Sequence, residues 1–322
     1  MDGLHDITAS NGLLMRSMRD DLVRGGAAQR TLASAICCVG VGLHSGRRVT
    51  VTLCPAPAGT GIVFHRTDLG MSIPARFDRV GDTRLCTVLV SPDHPEARVG
   101  TVEHLMAALS ACGVGNAVVE LDGPEVPVLD GSAAPWLFLL DCAGIAILAE
   151  PARVVQVLRT VRVQDGDAFA ELRPGALPGL DLALSIAFDA PAIGRQALSL
   201  TLSEDAFRTE LADARTFVQA HEVAGLRAAG LAQGGSLDNA VVVDGAQVLN
   251  PAGLRCPDEF VRHKMLDAVG DLALAGAALQ GRFVGHRSGH ALNNLVLRAL
   301  FADAANWREV PSMVHAWERA AA

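Results

Sequence analysis

His263 and Asp267 stand four residues apart in a stretch, 258–274, whose apolar residues Phe260, Val261, Leu266, Val269 and Leu272 recur at helical spacing. On a helix that spacing puts imidazole and carboxylate one turn apart on one face, and Asp271 extends the stripe by another turn. A nitrogen and an oxygen ligand so placed suit a hard or borderline divalent ion such as zinc. The same pair also serves as an ordinary helix-surface ion pair, and spacing alone does not choose between them. Glu103 and His104 are adjacent at the start of a second apolar stretch, Leu105 to Leu109. Neighbouring helix positions point about 100° apart, so a ligating His104 would hold Glu103 beside the ion without ligating it, where a general base belongs. Taken alone, Glu103 is equally an acid favouring the helix N-terminal dipole, with His104 in solvent. The third candidate, His290, ends Gly285-His286-Arg287-Ser288-Gly289-His290, where two glycines permit a sharp turn. Its imidazole suits a general acid for a leaving amine, or it sits in water as a loop histidine commonly does. His5, His44, His65, His94, His221 and His315 have no ligand-like partner at useful spacing and are read as structural or surface residues.

The elements that must carry these groups follow one order twice. From Arg30 to Val90 the pattern is strand-like: Val49, Val51 and Leu53 alternate with Thr50, Thr52 and Cys54, and Pro55 and Pro57 close the stretch. A helix is predicted after Gly100, with Thr101 as N-cap, ending at Gly113. A strand at 117–121 and a second helix, capped by Ser132 with Pro135 in its first turn, follow. The pattern restarts near Val154 with strands at 154–163, 168–172 and 181–188, a helix from about Asp205, a hairpin turning at Asp244-Gly245, and the helix 258–274. These signals predict an α+β fold of two similar domains with a boundary near 148–153. Domain I, 29–150, carries Glu103 and His104; domain II, 151–301, carries His263, Asp267 and His290. Residues 1–28 show no period and are expected to form a disordered tail, and 302–322 a C-terminal extension.

Composition narrows the function. A net charge of −8 argues against a general nucleic-acid binder. No apolar stretch reaches the roughly 20 residues of a membrane-spanning helix. Arg16, Arg19, Asp20 and Asp21 follow Leu13-Leu14-Met15 too closely for a signal-peptide core. A cytoplasmic monomer with at most transient membrane contact is therefore expected. Seven cysteines without Cys-x-x-Cys units fit free thiols in a reducing compartment. The basic residues are almost all arginine: Lys264, next to His263, is the only lysine.

Taken together, these segments resemble the UDP-3-O-acyl-N-acetylglucosamine deacetylases, zinc amidases that perform the committed step of lipid A synthesis. The resemblance is carried by Thr101-Val102-Glu103-His104-Leu105-Met106-Ala107-Ala108, by Phe260-Val261-Arg262-His263-Lys264-Met265-Leu266-Asp267 with Gly270-Asp271-Leu272, and by Ser288-Gly289-His290-Ala291-Leu292-Asn293. Gly42-Leu43-His44-Ser45-Gly46, Leu129-Asp130-Gly131-Ser132-Ala133-Ala134 and Ala214-Arg215-Thr216-Phe217 extend it over roughly residues 29 to 301. It implies that His104, His263 and Asp267 ligate Zn2+ and that Glu103 is the general base. It further implies that Thr216 and the zinc stabilise the oxyanion, that Lys264 adds positive charge, and that a charged His290, oriented by Asp271, assists departure of the amine. Arg287 stands where the family tends to have a basic residue near the substrate diphosphate. The helices of both domains would pack between the two sheets, with the zinc at the domain interface. An insertion, here about 217–249, would line an apolar passage for the acyl chain with Val218, Val223, Leu226, Leu231 and Leu237, Phe217 lying at its start. Phe217 is followed by Val218-Gln219 rather than a glycine and an aromatic, so a passage of different shape is expected. Two alternatives stand beside this: a silent relative, which would usually lack a ligand or the base, and an amidase acting on another N-acyl sugar.

Overall fold

The computed structural model describes residues 27–176 and 178–312, so the expected tail lies outside the described residues except at its last two positions. Ala28 already opens a strand: Ala28–Leu32 pairs antiparallel with Ile145–Pro151. The first half of the chain builds a five-stranded sheet in the order Ile36–Val41, Arg48–Pro55, Ala117–Leu121, Ile62–Arg66, Met71–Pro74. Strand alternation sets its inner face, because Val49, Val51 and Leu53 are buried while their Thr and Cys neighbours are not. A small sheet of Val80–Asp82, Val88–Val90 and Arg98–Val99 follows.

The second half builds a seven-stranded sheet around the long strand Ala278–His286. That strand pairs parallel with Arg153–Val157 and Leu180–Ala187 and antiparallel with Ala168–Arg173. Between the sheets lie α1 (Glu103–Ala111) and α2 (Ala134–Ala143) from the first half, and α4 (Glu259–Ala273) and α5 (His290–Phe301) from the second. Helix α3 (Ala220–Ala228) belongs to an outlying segment beside the parallel pair Phe217–Gln219 and Val241–Asp244. Helix α2 packs on the strand Ile36–Val41 and on α1, α1 packs on α4, and α4 packs on Leu180–Ala187 and Arg195–Thr201. The fold is thus α+β, with the helices of the two halves stacked between sheets. Covered on every side, α1 buries each residue from Glu103 to Leu109, charged ones included.

Helix α1 meets α4 closely at Gly270. A Cβ there would overlap the Glu103 carbonyl oxygen and lie 2.7 Å from its carbon and 2.9 Å from its Cα. Only glycine fits, and its absence of a side chain lets the start of α1 rest on the middle of α4.

Several local expectations are corrected. Thr101 does not cap α1: no side chain caps that helix, and the Thr101 hydroxyl donates instead to buried Glu125 at 2.9 Å. That contact accompanies a left-handed backbone at Thr101 (φ 55°), unusual for a β-branched residue. Helix α2 begins at Ala134; Ser132 caps it from one residue before the N-cap position, its hydroxyl donating to Asp130 while its Oγ accepts the Ala134 amide at 3.3 Å. The run 154–163 is two strands, Arg153–Val157 and Val161–Asp165, since the chain turns where Leu158 and Arg159 donate their amides to the Asn306 carbonyl. The helix from Asp205 is a short turn, Glu204–Ala206, running into a π-helical stretch, Phe207–Leu211. His290 is the first residue of α5 rather than a loop residue. Part of the expected C-terminal extension belongs to the sheet, where Trp307–Pro311 pairs antiparallel with Arg153–Val157; residues 313–322 lie outside the described residues. The hairpin of Val241–Asp244 and Gln247–Val248 turns at Gly245 as predicted.

Candidate active site

The α1–α4 crossing brings His104 and His263 onto Asp267. His104 Nε2 lies 3.5 Å and His263 Nε2 3.4 Å from Asp267 Oδ1, and all three side chains are buried. The three ligand atoms lie within 4.8 Å of one another. His263 donates through Nδ1 to the Ala214 carbonyl at 3.0 Å, which leaves the Nε2 lone pair facing the carboxylate. Burial holds His263 neutral, with its pKa pushed down to about 4. Asp267 Oδ1 is buried and accepts no hydrogen bond. Two lone pairs facing one another inside a protein call for a cation between them. These residues therefore fit a bound divalent metal.

The surrounding charge supports that site. Burial alone would raise the Asp267 pKa, but His263 and Lys264 outweigh it and hold the carboxyl well below its usual range. Lys264 Nζ is 2.7 Å from Asp267 Oδ2; burial works against its ammonium, yet Asp267 raises its pKa above the ordinary value.

Glu103 and His290 meet beside the centre, His290 Nε2 lying 3.9 Å from Asp267 Oδ2. Burial raises the Glu103 pKa, most against the influence of His290 and His104. Its Oε1 lies 3.9 Å from His290 Nε2. His290 Nδ1 is 2.9 Å from Asp271 Oδ2, which also accepts from Asn293 Nδ2 at 2.9 Å. Burial would lower the His290 pKa, but Asp271 and Glu103 together reverse it and raise it to about 9. Asp271 thus favours the imidazolium form of His290, bonded to it through Nδ1, with Nε2 turned to the centre.

The loop before the outlying segment is held by a buried ion pair. Arg215 donates its amide and its Nε to Glu259 Oε1 at 3.0 and 2.8 Å, and Arg255 donates its amide to Glu259 Oε2 at 2.7 Å. That pair fixes the backbone that supplies the Ala214 carbonyl and, two residues on, Thr216. Thr216 is half-buried, its amide bonded to the Gly131 carbonyl. Phe217 packs edge-on against Phe260 at 5.0 Å and against His263 at 6.1 Å. Arg287 is not brought onto the centre: its guanidinium pairs with Asp167 at 2.7 Å on the exposed surface.

Four features make contacts that the sequence reading did not assign. Thr87 donates its amide to Glu103 and its hydroxyl to Asp271. Asn293 belonged to a quoted motif but carried no role. Glu125 accepts from the amides of His44 and Ser45 at 2.8 Å each, as well as from Thr101. His44, read as structural or surface, has both ring nitrogens buried without a partner. It borders a cavity of ≈ 440 Å³ with Cys86, Val88, Leu226 and Leu231, so two of the five apolar residues named in the insertion line it. Leu237 is exposed instead. No local signal marks Thr87, whose partners lie 16 and 184 positions away in the sequence.

Comparison with known proteins agrees with this geometry. The family described as UDP-3-O-acyl N-acetylglycosamine deacetylase matches residues 29–302. The UDP-3-O-acyl-N-acetylglucosamine deacetylase of Shewanella sp. (strain W3-18-1) is 48% identical over 286 residues, which cover 88% of this chain and 92% of that protein. The protein of the same name from Anaeromyxobacter dehalogenans (strain 2CP-C) is 49% identical over 282 residues, covering 88% and 90%. A family match over most of the chain, joined to relatives nearly half identical along almost their whole length, leaves one conclusion: the chain belongs to the UDP-3-O-acyl N-acetylglycosamine deacetylase family.

Proposed function

We infer that this protein hydrolyses the N-acetyl group of UDP-3-O-(3-hydroxyacyl)-N-acetylglucosamine, releasing acetate and a free amine in the committed step of lipid A biosynthesis, with zinc held by His104, His263 and Asp267. The observation that carries it is the unpaired Asp267 Oδ1 facing two imidazole nitrogens, flanked by Glu103 and a cationic His290. Two nitrogens and one oxygen are a donor set that suits zinc and leave a coordination position open. Bound there, zinc would act as a Lewis acid, polarising the acetamide carbonyl and acidifying water.

The chain's own groups do the rest. Glu103 takes a proton from the attacking water through Oε1, its burial having raised its basicity above that of an ordinary carboxylate. Lys264 and the Thr216 hydroxyl offset negative charge on the carbonyl oxygen; losing one such donor typically costs about 10²–10³ in rate. When the C–N bond breaks, the glucosamine nitrogen must leave protonated, and His290 Nε2 supplies that proton while Asp271 stabilises the imidazolium. Arg287, freed from Asp167, meets the diphosphate. The acyl chain runs from Phe217 into the cavity lined by Val88, Leu226 and Leu231. The two halves act as domains, 29–150 and 151–301, with the chemistry between them. The protein works in the cytoplasm as a monomer, meeting the membrane only transiently.

Product analysis tests this directly. Purified protein given the substrate should release acetate and a primary amine in equal amounts. Release of fatty acid in place of acetate, or no reaction, would refute it.

A further inference from the structure

Thr87 bonds both Glu103 and Asp271, the partner of His290, and is 1% exposed. It sits just before the strand Val88–Val90 in the first half of the chain. Its amide donates to Glu103 Oε2 at 3.0 Å and its hydroxyl donates to Asp271 Oδ1 at 2.5 Å, across 184 positions of sequence. A carboxylate only accepts, so the direction of the hydroxyl bond is fixed. One residue thus holds one oxygen of a carboxylate on α1 and one oxygen of a carboxylate on α4. What remains free is decided by that hold. Asp271 Oδ2 takes His290 Nδ1 and Asn293 Nδ2, and Glu103 presents Oε1 alone toward His290 Nε2, 3.9 Å away.

We propose that Thr87 is a positioning residue that clamps the base and the His290–Asp271 pair in a fixed mutual geometry across the α1–α4 crossing. The proposal rests on the reading of Glu103 as base and His290 as acid. With three donors on it, the Asp271 carboxylate cannot rotate, and the imidazolium bonded to it inherits that orientation. Without the hydroxyl, Asp271 Oδ1 is a buried acceptor with no donor. The carboxylate turns to find one, and His290 turns with it. Thr87 reaches the reaction through Asp271 and Glu103, so its loss falls on turnover and not on substrate affinity.

The experiment is steady-state acetate release by metal-loaded full-length enzyme, wild type against Thr87→Val and Thr87→Ser, with metal content and melting temperature measured in parallel. Valine keeps the shape and removes the hydroxyl; serine keeps the hydroxyl. Thr87→Val should lower kcat at least tenfold with KM within about twofold, since misplacing a catalytic group by about 1 Å costs up to 10² in rate. Thr87→Ser should stay within about threefold of wild-type kcat. In an Asp271→Asn background, adding Thr87→Val should cost little more, because both act through one carboxylate. An unchanged kcat in Thr87→Val overturns the clamp, as do independent, multiplying losses in the double variant. A serine variant as slow as the valine one also overturns it, and that comparison stands even if valine prevents folding. An inactive wild type would instead sink the assigned reaction, and it is read before any variant is compared.

Discussion

Gly270→Ala is a one-methyl change that should break the active site without replacing any side chain in it. The added Cβ overlaps the Glu103 carbonyl oxygen and lies 2.7 Å from its carbon, and both are backbone of a buried helix turn. Ordinary contact begins near 3.4 Å, so α1 and α4 must part by roughly 1 Å or more, because close-packed interiors transmit strain and do not absorb it. Overpacking of this kind costs about 1–3 kcal/mol. The catalytic loss should be larger, since His104 and Glu103 ride on α1 while His263, Asp267 and Asp271 ride on α4. A shift of about 1 Å between reacting groups is worth about 10² in rate. The assay is acetate release together with zinc content after dialysis and a thermal melt, with Gly115→Ala, where nothing lies within 4 Å of an added Cβ, as the control. The variant should still fold, with a melting point lower by a few degrees, weakened zinc retention and a rate reduced about 100-fold. Wild-type rate and zinc retention in a folded Gly270→Ala protein would refute the claim that the helix crossing sets the site.

Glu103→Gln should retain zinc and lose about 10²–10⁴ in kcat, the usual worth of a general base; loss of metal from this variant would contradict its place outside the ligand set. His263→Ala should lower zinc affinity at least tenfold in a competition titration with a chelator, and undiminished affinity would remove it from the ligands. Arg215→Met leaves Glu259 buried without its partner and should cost about 3–5 kcal/mol at neutral pH, read by denaturant unfolding. Burial pushes the Glu259 pKa up, but Arg215 and the backbone amides outweigh it, leaving it below the ordinary value. A depressed folded pKa stabilises above the unfolded pKa, near 4.5, and that gain is lost as pH falls through the folded value. The gap between wild type and variant should therefore narrow below about pH 4.5; a gap that widens on acidification would contradict the pairing.

The sequence made the groups of the site legible because helical spacing ties His263 to Asp267 and to Asp271, and adjacency ties Glu103 to His104. It also made the strand alternation at 49–54 and the turn at Gly245 legible, since both are local. What it hid is long-range. Thr87 meets Asp271 across 184 positions, and no period in 83–88 marks it. The Ala214 carbonyl that sets the His263 tautomer is backbone, so no side chain announces it. Thr101 misled for the same reason: a hydroxyl ahead of an apolar stretch reads as a cap, but its partner is Glu125, 24 residues on. The 158–160 corner has no glycine or proline to mark it, and Trp307–Pro311 becomes a strand only because Arg153–Val157 offers an edge.

The central claim is that a metal held by His104, His263 and Asp267 is required for amide cleavage. The most direct measurement is acetate release from UDP-3-O-(3-hydroxyacyl)-N-acetylglucosamine by purified protein, stripped with a chelator and then titrated with Zn2+. The account predicts that activity falls away with the metal and returns in proportion to zinc, saturating at one equivalent per chain. Full activity in protein shown to be metal-free, or a zinc-loaded protein that releases no acetate, would contradict it.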